Sequence, residues 1–138
     1  MLRNAGFSLL ELLTVLILLG VIAGVSAPAI GRMLEGLDFR QQVGSVMANL
    51  RRIRLDAVVA GRPIEVRVED NRFLLIRGNK EEEPMDPQLD MDSELSLDTE
   101  TIIFSAESTV TPANLTLIQG NRSRIISMDP LSALPVIQ

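Results

Sequence analysis

An α+β fold is predicted for this chain: one long N-terminal helix laid against an antiparallel β-sheet. Three observations predict it. The first thirty residues hold an apolar run that is almost free of charge. Apolar side chains then recur at helical spacing to about residue 60. Beyond Pro63 the period shortens to two, in short segments separated by turn residues. The two periods reflect backbone geometry, since side chains return to one face about every 3.6 residues in a helix and alternate faces in a strand.

The elements follow in order. A basic stub, MLRNAG, precedes Phe7. From Leu12 to Ile30 about 19 residues lack a formal charge, and at about 1.5 Å each they extend roughly 28 Å, close to a bilayer's hydrocarbon thickness. One carboxylate, Glu11, stands at the head of this run. An acid near the membrane interior costs on the order of a few kcal/mol and usually faces a partner, so Glu11 is the first functional candidate. Arg3 and the free amine put positive charge on the short side, which predicts a cytoplasmic N-terminus, a single span and the bulk of the chain across the membrane. A signal peptide fits poorly. The run is long for one, Glu11 sits where an apolar region wants no charge, and Pro28 would follow the best cleavage site, Val25-Ser26-Ala27. A plain anchor explains length and orientation but gives Glu11 no role.

Leu37, Val43, Val46, Met47, Leu50, Ile53, Ala57 and Val58 continue at helical spacing, with Arg40, Gln41, Gln42, Asn49, Arg51, Arg52 and Asp56 largely between them. One helix over about 7–60 follows, half anchor and half core. Gly61 is its expected C-terminal cap and Pro63 prevents continuation. Ile64-Glu65-Val66-Arg67-Val68 alternates as a half-buried strand should, Glu69-Asp70-Asn71 reads as a turn, and 72–77 as a second strand. Residues 78–94 read as an acidic, proline-bearing loop with little to bury. Further strands are expected near 95–97, 101–104, 114–118 and 124–128, with 120–123 as a hairpin turn and a short last strand at Val136-Ile137. Phe39, Phe73 and Phe104 are expected in the core.

Composition narrows the chemistry. The 138 residues include no cysteine, histidine, tryptophan or tyrosine. That removes disulfides, thiolate nucleophiles, the usual general base at neutral pH and the commonest metal ligand. No carboxylate pair, phosphate loop or nucleophile triad stands out, so the expectation is a non-enzymatic protein with no catalytic residue, metal or cofactor. A net charge of −5 argues against binding nucleic acid through its phosphates. Two charged groups need weighing. Asp86, Asp90, Asp92 and Glu94 could offer oxygens to calcium, but Pro84 and Pro87 disturb the spacing, and a solvated loop is the favoured reading of 80–94. Arg51, Arg52 and Arg54 read as the wet face of the helix, ahead of a site for DNA or an acidic partner; Arg122 and Arg124 could join such a patch.

Gly6-Phe7-Ser8-Leu9-Leu10-Glu11 resembles the cleavage box of type IV prepilins and type II secretion pseudopilins. The resemblance implies a pilin-like fold, cleavage between Gly6 and Phe7 by the prepilin peptidase, N-methylation of Phe7, and Glu11 as the subunit-assembly residue. It divides the chain into a leader at 1–6, a transmembrane and assembly helix at 7–30, and a periplasmic α+β domain at 31–138. The stretch 50–64, followed by Ile102-Ile103-Phe104, Leu115-Thr116-Leu117 and residues 124–131, is similar to the H-type minor pseudopilins. That similarity implies a structural subunit of the type II secretion pseudopilus. Its partners would be the major and other minor pseudopilins, the peptidase and the inner-membrane secretion platform. A minor type IV pilin is the alternative, and a membrane-anchored periplasmic binding module is the alternative of another class. Two departures stand out: residues 105–113 lack the glycines of the family's turn, and Ser132-Ala133-Leu134 replaces a glycine-bearing one. Without residues that favour positive φ, these turns are expected to take another shape.

Overall fold

The structure, a computed structural model, describes residues 8–78 and 82–138, the side chains of residues 27–29 and 32 excepted. The chain divides into two compact units, Met1–Asp38 and Phe39–Gln138. One helix, α1 (Leu9–Ala60), passes through both.

In the first unit, Ser8 begins the helix. Its hydroxyl accepts a hydrogen bond from the Glu11 N–H at 3.2 Å, and its carbonyl accepts from the N–H groups of Glu11 and Leu12. This N-cap satisfies donors that the first turn leaves open. The segment Leu9–Ser26 has a mean hydropathy of 2.5 and none of it is buried, so among the described residues this is the one stretch long and apolar enough to cross a membrane. Leucines, isoleucines and valines face outward all round it. Thr14 is the exception in polarity, and its hydroxyl donates to the Leu10 carbonyl at 2.8 Å, which spares an unmet donor in apolar surroundings.

In the second unit the helix buries Phe39, Gln42, Val43, Val46, Leu50, Ile53 and Ala57 along one face. Leu37 and Val58, expected in this set, are exposed by 44% and 40%, whereas Gln42, expected on the polar face, is buried because its amide finds partners in Asp90 and Ser93. The helix ends at Gly61, with φ at +60°. The Arg62 N–H donates to the Ala57 carbonyl and the Gly61 N–H to that of Val58, each at 3.2 Å, which is the paired closure of a Schellman motif.

Among the described residues eight strands follow: β1 (Ile64–Glu69), β2 (Arg72–Ile76), β3 (Glu83–Met85), β4 (Ser93–Leu97), β5 (Ile102–Phe104), β6 (Asn114–Gln119), β7 (Arg122–Met128) and β8 (Pro135–Ile137). They form two antiparallel sheets rather than the single one expected, ordered β3-β2-β1-β5 and β4-β6-β7-β8. In the first hairpin Glu69 pairs with Arg72 across Asp70 and Asn71, whose φ values of 48° and 61° are those of a type I′ turn. In the second, Gln119 pairs with Arg122 across Gly120, with φ at +56°, and Asn121, so β7 starts inside the segment read as a turn. Phe73, Phe104, Leu75, Ile102, Leu115, Leu117 and Ile126 join the helix face in one core.

The acidic segment departs most from expectation. It adds β3 to the edge of the first sheet, where Pro84 is tolerated because an edge strand has an unpaired side. Pro87 is buried, and Met85 and Leu89 pack against the core. Met85, Pro87 and Leu89 recur at a spacing of two, which the surrounding acids obscure.

The turns lacking glycine depart as well. Ser108 and Ala133 take positive φ themselves, 66° and 51°. The left-handed conformation is kept without glycine, at some backbone cost. Hydrogen bonds hold both turns: Ser108 N–H donates to the Ser105 carbonyl at 3.3 Å and Ala133 N–H to that of Asp129 at 2.8 Å.

Candidate functional site

The residues expected to carry function lie at the head of α1. Gly6 and Phe7 fall outside the described residues, and Glu11 occupies the first helical turn. Ser8, Leu9, Leu10 and Glu11 form the S-x-x-E spacing of a capping box. Half of the box is present, since the Ser8 hydroxyl binds the Glu11 N–H. Among the described residues no bond returns from the Ser8 N–H to the Glu11 carboxylate, which is exposed. A carboxylate in a first turn also meets the positive end of the helix dipole. Ser8 is the helix cap, and S-x-x-E ahead of an apolar run is its signal in the sequence.

The surroundings of Glu11 are apolar. Leu9, Leu10, Leu12 and Leu13 around Glu11 are all more than half exposed, so the acid is carried on an apolar surface. Desolvated there, an anion is heavily penalised alone and strongly attracted to a cation.

The remaining acids go elsewhere. Asp86 accepts from the Gln88 N–H at 2.8 Å. Gln42, buried in the helix face, donates through Nε2 to Asp90 Oδ2 at 2.9 Å and accepts at Oε1 from the Ser93 hydroxyl at 2.6 Å and the Asp90 N–H at 3.3 Å. Gln119 Nε2 lies 3.3 Å from Asp92 Oδ1, and the Ser45 hydroxyl donates to the Pro87 carbonyl. Asp90 and Asp92 thus tether this segment to the helix and β6. Glu94 points outward from β4, and no group of three or more potential ligands gathers among the described residues.

The arginines divide too. Arg54 Nε donates to the Ser108 hydroxyl at 2.9 Å, tying the helix to the β5–β6 connection. Arg77 bonds both Asp56, at 3.4 Å, and Glu83. Arg51, Arg52 and Arg124 are exposed and form no ion pair among the described residues. A cleft of about 410 Å³ opens between β1 and β4, lined by Arg67, Glu69, Leu97 and Glu100 among others.

Residues 1–27 match the family described as "Prokaryotic N-terminal methylation motif". No curated protein sequence matches significantly. The fold is similar to two crystal structures of the type IV minor pilin FimU of Pseudomonas aeruginosa strain PAO1. The crystal form in space group P21 gives a TM-score of 0.57 at 15% identity, covering 75% of this chain and 90% of FimU. The P65 form gives 0.55 at 15% identity, covering 72% and 91%. A helix on antiparallel strands, as these structures have it, is the pilin-like fold expected from the sequence. The methylation motif at the head of the chain and the pilin-like fold behind it together support the type IV pilin superfamily.

Proposed function

We propose that this protein is a minor, non-enzymatic subunit of a type IV pilin-like filament, held in the inner membrane by α1 until it is assembled. The observation that carries the reading is Glu11, an exposed acid at the capped start of a wholly exposed apolar helix, five residues beyond the expected cleavage-site glycine. Cleavage after Gly6 frees an amine on Phe7, which methylation leaves cationic. The amine of one subunit meets the Glu11 carboxylate of its neighbour, neutralising two charges that each resist burial alone. That pairing sets the axial register between subunits. The prepilin peptidase and the other pilin-like subunits are the partners this implies.

Between the two filament systems, we favour the type II secretion pseudopilus, with its inner-membrane platform as a further partner. The stretch 50–64 and the order of later strand segments support it through their similarity to the H-type minor pseudopilins. The likeness to FimU favours the second reading, a minor type IV pilin. Deleting the gene separates the two: loss of exoprotein release with intact surface pili supports the first, and the converse supports the second.

The central reading is tested at the N-terminus. Mass spectrometry of the membrane form should find a chain beginning at methylated Phe7. Glu11→Ala should insert in the membrane normally but fail to enter filaments; filaments that contain the variant at parental levels would refute the assembly role.

A further inference from the structure

Between Phe39 and Ala60 the helix has a second face, which the sheets leave bare. At about 100° per residue, Arg40, Gly44, Ala48, Arg51, Leu55 and Val59 fall on one stripe opposite the buried face. All six are exposed, Leu55 by 59% and Val59 by 79%. Arg52 borders the stripe. The only carboxylate of this helical stretch, Asp56, lies outside it, half-buried and paired with Arg77 at 3.4 Å. Arg40, Arg51 and Arg52 form no ion pair among the described residues.

Three properties of the stripe identify what covers it. Leu55 and Val59 are large apolar groups left in water, and burial of each is favourable. Gly44 and Ala48 are one turn apart with open space over the glycine, which allows a second helix to approach closely. The arginines supply positive charge with no anion on their own face, although the chain as a whole is at −5. The complement of such a surface is a helix with an apolar, small-residue seam edged by carboxylates.

We propose that this stripe docks an acidic-edged helix of a neighbouring filament subunit. The inference rests on the filament reading above and adds to it the chemistry of the adjoining subunit. Guanidinium–carboxylate pairs at the rim of an interface act chiefly on partner choice and register. They therefore select which subunit lies against this one.

The test uses the full chain in its own membrane. Because the chain has no cysteine, Ala48→Cys places a single thiol on the stripe for a maleimide–diazirine crosslinker, and peptide mapping identifies the residues it reaches. The expected product joins Ala48→Cys to a helix of another pilin-like subunit, with Asp or Glu within a turn of the crosslink. Adding Arg51→Glu and Arg52→Glu should cut the yield about tenfold, and Lys at the mapped acids should restore it. Arg72→Glu with Arg124→Glu makes the same change in net charge on exposed strand positions and should leave the yield unchanged. Unaltered far-UV circular dichroism and melting verify that each variant folds.

Crosslinks to a helix without carboxylates, a yield indifferent to Arg51 and Arg52, or a DNA fragment that competes with the crosslink would each overturn the proposal. Its failure is separable from that of the filament reading. If Glu11→Ala blocks assembly while the Arg51 and Arg52 variant assembles normally, only this inference falls. If the parental chain itself enters no filament, the filament reading falls with it.

Discussion

Asn71 is where the two sheets are tied together, and its replacement offers a quantitative test of how the second unit holds its shape. The residue occupies the type I′ turn between β1 and β2, at φ 61°. From there its side chain reaches the outer edge of β4 in the other sheet. Its Nδ2 donates to the Ser93 carbonyl at 2.8 Å and its Oδ1 accepts from the Leu95 N–H at 2.8 Å. One amide thus does for β4 what a neighbouring strand would do. A neutral hydrogen bond contributes about 1 kcal/mol net, and a partner left buried and unmet raises the loss. Asn71→Gly keeps the turn, since Asp-Gly is itself a favoured type I′ pair. It should therefore report the lost bonds, at about 2–3 kcal/mol. Asn71→Ala loses the same bonds and also forces a side chain into left-handed backbone, for about 1–2 kcal/mol more. Urea unfolding of the detergent-solubilised chain, followed by far-UV circular dichroism, measures both. A Gly variant within about 0.5 kcal/mol of the parent would refute the latch. An Ala variant more stable than the Gly variant would refute the backbone argument.

Other outcomes follow from the same contacts. Gln42→Leu should cost about 2–3 kcal/mol, because it strips partners from the Ser93 hydroxyl and from Asp90, both held by that amide. Limited proteolysis should then cut within 86–92 sooner than in the parent; an unchanged cutting pattern would count against the tether. Asp129 accepts from the Leu131 N–H at 3.0 Å and from the Ser132 hydroxyl at 2.8 Å, and these bonds, the Leu131 one first, hold its carboxyl below the ordinary value of 3.8. A carboxyl depressed in the folded state stabilises above its unfolded pKa and loses that contribution as pH falls through the folded one. The stability gap between parent and Asp129→Asn should accordingly be constant near neutrality and close on acidification below 3.8; a gap that widened there would contradict the sign.

The long helix was legible because its evidence is local. Hydropathy marks 12–30, a period of about 3.6 marks apolar positions from Leu37 to Val58, and Gly61 and Pro63 mark the end. The two hairpins were legible for the same reason, each closed by two residues suited to positive φ. Glu11 stands out because one acid in an apolar run is conspicuous, whereas the capping role of Ser8 depends on backbone geometry that the hydropathy pattern does not report. The acidic segment misled: its charges suggested solvation, yet Met85, Pro87 and Leu89 alternate beneath them and take the segment onto the core.

What the amino-acid order settled alone is therefore whatever depends on neighbours a few residues apart: helix, strand and turn, the membrane-length run and the acid at its head. Only the folded chain decided that the strands divide into two sheets, that Asn71 joins them, that Gln42 anchors Asp90 from 48 residues away, and that Ser108 and Ala133 bear the left-handed turns. The physical reason is that period and propensity report which face of a segment is apolar and say nothing of which distant segment covers it. Partner choice is made by side-chain amides and shapes that meet only once the core has formed.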